Sequence, residues 1–250
     1  MAINKCTERL RRLYGNLRTS TRSPLLTKVL WPNPTPDPSG STEGIPELGF
    51  FSKLDRTPPT PNDRIAADEE NKRHAMYLAR MRTKDGTSTK DVLVKFAVKY
   101  NAAAHRLLAD NNPPLAPALY SCTRVIGDMF MVVMEYMPGA SLFDILLNTP
   151  LPLPASIHEA IRRDVPWALE ILHEHDFVFG DLREGNLLYL PEDGGRVIFI
   201  DFDGVGRHGE DRYSASLNPD AGLGVARLQI MEKSHDTDNF GRLMGRLYWM

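Results

Sequence analysis

The sequence has little of several features that define whole classes of protein. It contains only two cysteines, Cys6 and Cys122, and they lie far apart and match no metal-binding or redox spacing, which is typical of a reducing compartment. No apolar run approaches the roughly 18 residues that a membrane-spanning helix needs. The formal net charge of -2 gives no general attraction for nucleic acid or an anionic membrane. We therefore expect an intracellular globular protein with no nucleic-acid partner and no membrane span.

Residues 1–62 differ in composition from the rest of the chain. They hold nine of the 19 prolines, four of them in alternation over residues 32–38, a pattern that favours extended or flexible backbone. Residues 2–31 carry seven Lys or Arg against a single acid, Glu8. We predict a flexible, basic extension of a cytoplasmic protein, and an organellar transit peptide is the alternative.

The chemistry of the chain is concentrated in residues 177–206, which read FVFGDLREGNLLYLPEDGGRVIFIDFDGVG. Two short apolar runs, 187–190 and 196–200, flank a turn with two glycines, and this pattern predicts a β-hairpin. A short hairpin brings its two ends together. The polar residues just before the first strand and just after the second are therefore expected to meet.

Three of those polar residues carry oxygen donors. Asp181 precedes the hairpin, Asn186 follows five residues later, and Asp201 comes directly after the second strand. Carboxylate and amide oxygens suit Mg²⁺, which binds few protein ligands and leaves coordination positions for phosphate oxygens. The arrangement therefore points to phosphoryl transfer.

The spacing D-x-x-x-x-N followed by D-F resembles the catalytic and metal loops of the protein-kinase-like superfamily. By this resemblance Asp181 would orient and deprotonate the acceptor hydroxyl, while Asn186 and Asp201 would hold the metal. Arg183 lies where many kinases carry a lysine that touches the transferred phosphate, and its guanidinium could hold phosphate oxygens in a bidentate fork. The resemblance implies ATP and Mg²⁺ as cofactors.

Two further segments fit the same family in the expected order. A strand predicted over residues 91–98 contains V-L-V-K-F, and its Lys95 would contact the nucleotide phosphates. A lysine on the solvent face of the strand is the alternative, and Lys99 is a second candidate. The segment MVVMEYMPGASL resembles the hinge of the family, in which backbone groups around Glu135 and Met137 would bind the adenine edge. A core strand that ends at a turn is the alternative there.

The departures from the family pattern are as specific as the matches. Phe179 and Gly180 replace the usual His and Arg before the catalytic aspartate, and Gly180 brings the site closer to relatives that act on small molecules. Asp203 replaces the glycine of D-F-G, and Gly204 follows it. Residues 60–75 contain no glycine, so a glycine-rich phosphate loop is missing from its expected position.

The remaining elements complete a kinase-like outline. The helix predicted at residues 101–110 lacks the glutamate that would hold Lys95, and Asp110 is its only acid. Asp236 resembles the aspartate that braces the catalytic loop from a buried helix, and His173 and His175 are expected on the surface. The other predicted elements are strands His74–Arg82, Leu115–Tyr120 and Met129–Tyr136, helix Leu142–Leu147 capped by Ser141, a helix over Ala155–His175 kinked or divided at Pro166, and helix His235–Tyr248.

These observations predict an α+β, two-lobed protein-kinase-like fold. Residues 63–137 form a small antiparallel sheet lobe, and residues 138–250 form a shortened, mainly helical C-lobe. The expected function is ATP- and Mg²⁺-dependent transfer of the γ-phosphate to a hydroxyl of a protein or a small molecule. The alternative is a pseudokinase that binds nucleotide or a partner protein without catalysis.

Overall fold

A computed structural model describes residues 31–38, 44–54, 75–83, 86–149, 152–192, 194–218 and 222–249. The helices and strands of the described residues all lie within residues 34–250, which form one compact unit. Most of the predicted basic segment lies outside the described residues.

The largest element is a five-stranded antiparallel sheet with the strand order β1-β2-β3-β5-β4. Its strands are β1 (Leu48–Lys53), β2 (Ala75–Arg82), β3 (Thr89–Ala97), β4 (Leu119–Val125) and β5 (Met129–Glu135). Alternation along β3 places Val92 and Val94 in one apolar cluster and Ala97 in the other. Because successive side chains point to opposite faces, Lys95 shares the face of Ala97.

Strand β1 was missed by the sequence analysis, which placed residues 48–53 in the flexible extension. The strand pairs with β2 through an irregular register, and the ring of Phe50 packs edge-on against Tyr77 with centroids 5.8 Å apart. Residues 35–37 also pair with the sheet, through backbone hydrogen bonds to residues 124–126. The short, interrupted alternation of β1 explains why its pattern is weak in the sequence.

The predicted strand at Leu115–Tyr120 was wrong in its bounds, since β4 begins at Leu119. Prolines at 113, 114 and 117 remove backbone donors from the preceding segment, which cannot form a regular ladder. Leu115 instead donates its amide to the carbonyl of Leu108 and accepts from the amide of Phe199, at 2.8 Å each. The segment therefore ties a helix to the second half of the chain.

The described residues contain four α-helices, α1 (Ala102–Ala109), α2 (Leu142–Asn148), α3 (Ala155–Glu174) and α4 (Lys233–Trp249). Asn101 caps α1 by accepting from the amide of Ala104, and Ser141 caps α2 as predicted by accepting from the amide of Asp144. Helix α3 runs uninterrupted through Pro166. Of the two predicted outcomes, a kink or two pieces, the second was wrong, because a continuous buried face holds the helix together. The kink stays a prediction.

Five short strands complete the fold: β6 (Ala140–Ser141), β7 (Phe177–Val178), β8 (Leu187–Leu190), β9 (Arg196–Phe199) and β10 (Gly206–Arg207). Strands β8 and β9 form the predicted antiparallel hairpin, with Leu187 opposite Phe199. Strand β7 pairs with β10. Asp164 of α3 is buried and accepts the amide of Val197 at 2.8 Å, which fixes the hairpin against the helix.

The architecture is therefore mixed α/β, with an antiparallel sheet and four helices in the described residues, and is compatible with a kinase-like fold. The larger apolar cluster joins residues of the sheet, α1, α3 and the hairpin. Within the described ranges, no helix has both the length and the apolar character needed to cross a bilayer.

Candidate active site

The β8–β9 hairpin brings the predicted polar residues together. The amide of Ile200 donates to the backbone carbonyl of Asn186 at 2.9 Å, so Asp201 lies beside Asn186. The side-chain amide of Asn186 donates to the carbonyl and to Oδ2 of Asp181, both at 2.9 Å. Its own side-chain oxygen is the atom that could coordinate a cation. Asp181, Asn186 and Asp201 thus belong to one cluster.

Asp236 of α4 supports the backbone immediately before Asp181. Its Oδ2 accepts from the amide of Phe179 at 2.7 Å and its Oδ1 from the amide of Gly180 at 2.9 Å, which confirms the predicted brace. Nε2 of His173 lies 3.0 Å from Oδ2 of Asp236. The predicted surface position of His173 was wrong, because its ring is hydrogen-bonded to the fully buried carboxylate of Asp236.

Glycine at position 180 is required by the backbone. Gly180 has φ of +76°, and a Cβ there would lie 2.5 Å from Cε of Met231 and 2.9 Å from the carbonyl oxygen of Gly204. A residue with a side chain would be strained in conformation and would clash with a backbone atom. The backbone of this turn therefore requires glycine at position 180, where the protein-kinase pattern has arginine.

Lys95 is buried and directed at two carboxylates. Its residue is 5% exposed, and its Nζ lies 2.8 Å from Oδ1 of Asp201 and 2.7 Å from Oδ2 of Asp203. Burial alone would lower the pKa of Lys95, but the two negative charges outweigh it and the pKa is raised. The solvent-face alternative was wrong for Lys95, whereas Lys99 is exposed.

Asp201 occupies an unusual backbone conformation for a residue with a side chain, with φ of +68°. Such conformations cost free energy and persist at sites where surrounding contacts impose them. Burial would raise the pKa of Asp201, but the charge of Lys95 and its hydrogen bond lower it. Asp201 is therefore an anion in the folded protein near neutral pH.

Asp203 differs from Asp201 in both pairing and charge. Its Oδ1 is buried without a hydrogen-bond partner among the described residues. Burial and the neighbouring charge of Asp201 raise its pKa to about 7, against the opposing effect of Lys95. One oxygen of Asp203 therefore binds Lys95 and the other has no partner within the described part of the chain.

Arg183 forms a two-point contact with the proposed base. Its Nε lies 2.7 Å from Oδ1 of Asp181, and its Nη2 donates to Oδ2 at 2.9 Å. Burial raises the pKa of Asp181, Arg183 opposes this, and the charge of Asp201 adds to it. A raised pKa brings a carboxylate closer to the proton affinity that suits general-base catalysis.

The donor set fits a magnesium ion better than a metal with many protein ligands. In the described ranges, no group of three or more His, Cys, Asp and Glu side chains has the arrangement of a metal site. Mg²⁺ commonly binds through one or two carboxylates and takes its other ligands from water and phosphate. Asp201, the side-chain oxygen of Asn186 and the unpaired oxygen of Asp203 offer hard oxygen donors of this kind.

The residues predicted to bind adenine lie at the end of β5. Glu135 donates its amide to the carbonyl of Ala118 at 2.9 Å and accepts the amide of Ala118 at 3.3 Å, while the carbonyl of Met137 accepts from the amide of Gly139. Their role in nucleotide binding stays a prediction. The connection between β1 and β2, residues 54–74, contains no glycine.

Neither the partner of Lys95 nor the contact that supports the loop at residues 200–204 was predicted from the sequence. The ring of His105 in α1 stacks on Phe202, with centroids 4.4 Å apart and an interplanar angle of 7°. The only sequence signal for the Lys95 partner was the acid at the third position of the D-F-D motif. Asp110, the other candidate partner, is exposed where α1 ends.

Comparison with known proteins gives partial matches to protein kinases. No family model matches the chain. It is 31% identical over 78 residues to a probable serine/threonine-protein kinase of Dictyostelium discoideum, 29% over 117 residues to serine/threonine-protein kinase nrc-2 of Neurospora crassa, and 27% over 143 residues to protein kinase PINOID of rice, Oryza sativa.

These matches cover 31%, 46% and 56% of this chain but only 5%, 18% and 28% of the respective relatives. The chain is similar to serine/threonine protein kinases. The similarity supports a protein-kinase-like relationship for the matched part, and the roles of individual residues depend on the geometry of the site.

Proposed function

We propose that the chain is an ATP- and Mg²⁺-dependent phosphotransferase with a two-lobed, protein-kinase-like fold, in which strands β1 to β5 belong to the sheet lobe and residues 138–250 form the mainly helical lobe. The observation that carries the proposal is the ion pair between Lys95 and Asp201 at 2.8 Å. This pair supports the proposal because it joins an ammonium that could bind phosphate to a carboxylate that could bind a metal ion. The β8–β9 hairpin brings Asn186 beside Asp201, and the side chain of Asn186 is hydrogen-bonded to Asp181.

Each residue has a role that its position supports. Lys95 and Arg183 bind phosphate oxygens, and Asn186 and Asp201 hold Mg²⁺, which when bound neutralises charge on those oxygens. Asp181 orients the acceptor hydroxyl and receives its proton as the oxygen attacks the γ-phosphorus, while the bond to the β–γ bridging oxygen breaks and ADP leaves. Arg183 must release one or both of its bonds to Asp181 to reach a phosphate. Backbone groups at Glu135 and Met137 bind the adenine.

The acceptor is a hydroxyl of a protein or a small molecule. The names of the similar proteins favour a Ser or Thr hydroxyl of a protein. Gly180 favours a small molecule, since it removes the arginine that would bind a phosphorylated loop. Assays with a mixed protein substrate and with polyol or sugar acceptors distinguish the two classes.

The proposal predicts a large loss of turnover when either carboxylate is neutralised. Asp181→Asn and Asp201→Asn should each lower Mg²⁺-dependent ATP consumption by about 10²- to 10⁴-fold, the usual contribution of a general base or a charge-neutralising ligand. Coupled measurement of ADP release gives the rate. Asp238→Asn changes an exposed carboxylate of α4 and should leave the rate unchanged. Equal rates in all three variants would contradict the proposal.

A pseudokinase is the second candidate, and one feature of the site favours it. Both oxygens of Asp181 are engaged by Arg183 and one also by Asn186, so the base is occupied in this conformation. The glycine-free connection at residues 54–74 points the same way. Stabilisation of the wild-type protein by Mg-ATP in a thermal-shift titration, without ADP release, would favour this candidate.

A further inference from the structure

Lys95 has two carboxylate partners that differ in availability. In the proposed function, Asp201 uses its oxygens to hold the metal and cannot remain the sole partner of Lys95. Asp203 contacts the same ammonium at 2.7 Å. A charge-assisted bond of this length is among the stronger contacts in a protein. Asp203 therefore remains a partner for Lys95 when Asp201 is engaged elsewhere.

Helix α1 does not supply a carboxylate at this site. It contains no glutamate, and it contacts the loop at residues 200–204 through the ring of His105, which stacks on Phe202. That ring is neutral near pH 7, because burial lowers the pKa of His105 to about 4. An uncharged, apolar contact thus stands between α1 and the loop that carries both aspartates.

The backbone of the loop explains how position 203 can carry a side chain. Gly204 makes the close approach, since a Cβ at that position would lie 3.1 Å from Cβ of Asp181 and 3.4 Å from the carbonyl oxygen of Phe179. The small residue that this contact favours is at 204. Position 203 is then free for a carboxylate directed at Lys95.

We propose that Asp203 is a positioning residue that holds the ammonium of Lys95 in the phosphate site while Asp201 binds the metal. It takes the part of the helix glutamate that α1 lacks, and this inference rests on the proposed function. The anchor of the lysine then lies on the metal-binding loop itself. Lysine placement and metal-loop placement are coupled in one structural element, without participation of α1.

A double-mutant cycle tests the coupling in the active protein. Asp203→Asn should lower kcat/KM for ATP by about 10- to 100-fold, the worth of a hydrogen bond to a charged group. Lys95→Met should cost more. The double variant should be no worse than Lys95→Met alone, because Asp203 acts through Lys95. Asp91→Asn, at an exposed carboxylate of the same strand as Lys95, is the matched control.

The inference would be overturned if the fold-loss of kcat/KM in the double variant equalled the product of the two single fold-losses. Wild-type kinetics of Asp203→Asn would also overturn it. A second measurement needs no nucleotide. Reductive methylation with formaldehyde and cyanoborohydride, followed by mass spectrometry, should label Lys95 severalfold faster in Asp203→Asn than in the wild type, with exposed Lys99 as the internal reference. An unchanged ratio overturns the inference even if no ATP turnover is found. Absent turnover with an increased ratio would count against the proposed function alone.

Discussion

The two loops that meet at the site are held by different kinds of contact. The first loop, residues 177–186, is fixed by Asp236, a fully buried carboxylate whose two oxygens both accept backbone amides. The second loop, residues 200–204, is fixed by the ion pairs of Lys95 and by Phe202 packed on His105. One carboxylate of the second loop, Asp203, keeps an oxygen without a hydrogen-bond partner among the described residues.

The difference distinguishes a carboxylate that supports the backbone from carboxylates that are available to a ligand. Asp236 has its hydrogen-bonding capacity directed at the protein, so it stabilises a loop but has little left for a ligand. Asp201 and Asp203 share one ammonium and lie in a loop with a strained residue. A carboxylate that the protein leaves partly unsatisfied is the better candidate for contact with metal or phosphate.

The largest expected effect is a loss of stability when the carboxylate that supports the first loop is removed. Asp236→Ala should lower the free energy of unfolding by about 3–5 kcal/mol, because it leaves two buried backbone amides without an acceptor and removes the hydrogen-bond partner of His173. Urea denaturation followed by fluorescence measures the loss. Asp238→Ala, two residues along the same helix and exposed, should stay within about 0.5 kcal/mol.

A loss equal to that of Asp238→Ala would show that the first loop does not depend on Asp236. If Asp236→Ala fails to fold, Asp236→Asn keeps one acceptor oxygen and should give a smaller, measurable loss. An unfolding free energy of Asp236→Asn equal to the wild type would contradict the assignment.

The second loop should respond to pH through His105. Its ring accepts from the hydroxyl of Tyr100 and donates to the carbonyl of Pro117, while Arg106 is the nearby charge that disfavours protonation. Burial lowers the pKa of His105 from 6.5 to about 4, so the unfolded chain takes up the proton first. The contribution of His105 to stability should be constant above pH 6.5 and fall by up to about 3 kcal/mol as the pH drops to 4. Asp203, with its pKa raised to about 7, contributes in the opposite direction and does so equally in a His105 variant.

Denaturation curves at intervals between pH 7.5 and 4 measure this dependence. His105→Gln removes the titrating ring, so its stability should fall less over the same range even if the variant is less stable at pH 7. Parallel pH profiles for the wild type and His105→Gln would show that His105 does not contribute.

The smallest of the three effects is a backbone change within the first loop. Gly180→Ala should cost about 2–3 kcal/mol, because alanine is strained at positive φ and its Cβ meets the carbonyl of Gly204. Gly185→Ala is the matched control, since a Cβ at Gly185 meets nothing within 4 Å. Differential scanning calorimetry should show a lower Tm for Gly180→Ala only. Equal Tm values would remove the conformational argument for glycine at 180.

Much of the fold and part of the site could be predicted from local pattern. The β8–β9 hairpin, the cap of Ser141 and the brace of Asp236 follow from turn glycines, a capping residue and motif order. Strand β1 was missed because its alternation is short and irregular. Helix α3 was predicted to kink or divide at Pro166, and it does not divide, because the contacts of its buried face outweigh the local cost of the proline.

By itself, the sequence determined that Asp181, Asn186 and Asp201 would flank one hairpin, because a two-stranded ladder with a short turn forces its ends together. Only the tertiary structure decided which carboxylates hold Lys95. The lysine lies on β3 and its partners follow β9, more than a hundred residues later, and no local pattern relates the two. The face of the sheet that packs on the hairpin and α1 brings them within hydrogen-bond distance, and burial then makes the pairing obligatory, since an isolated ammonium there would be unstable.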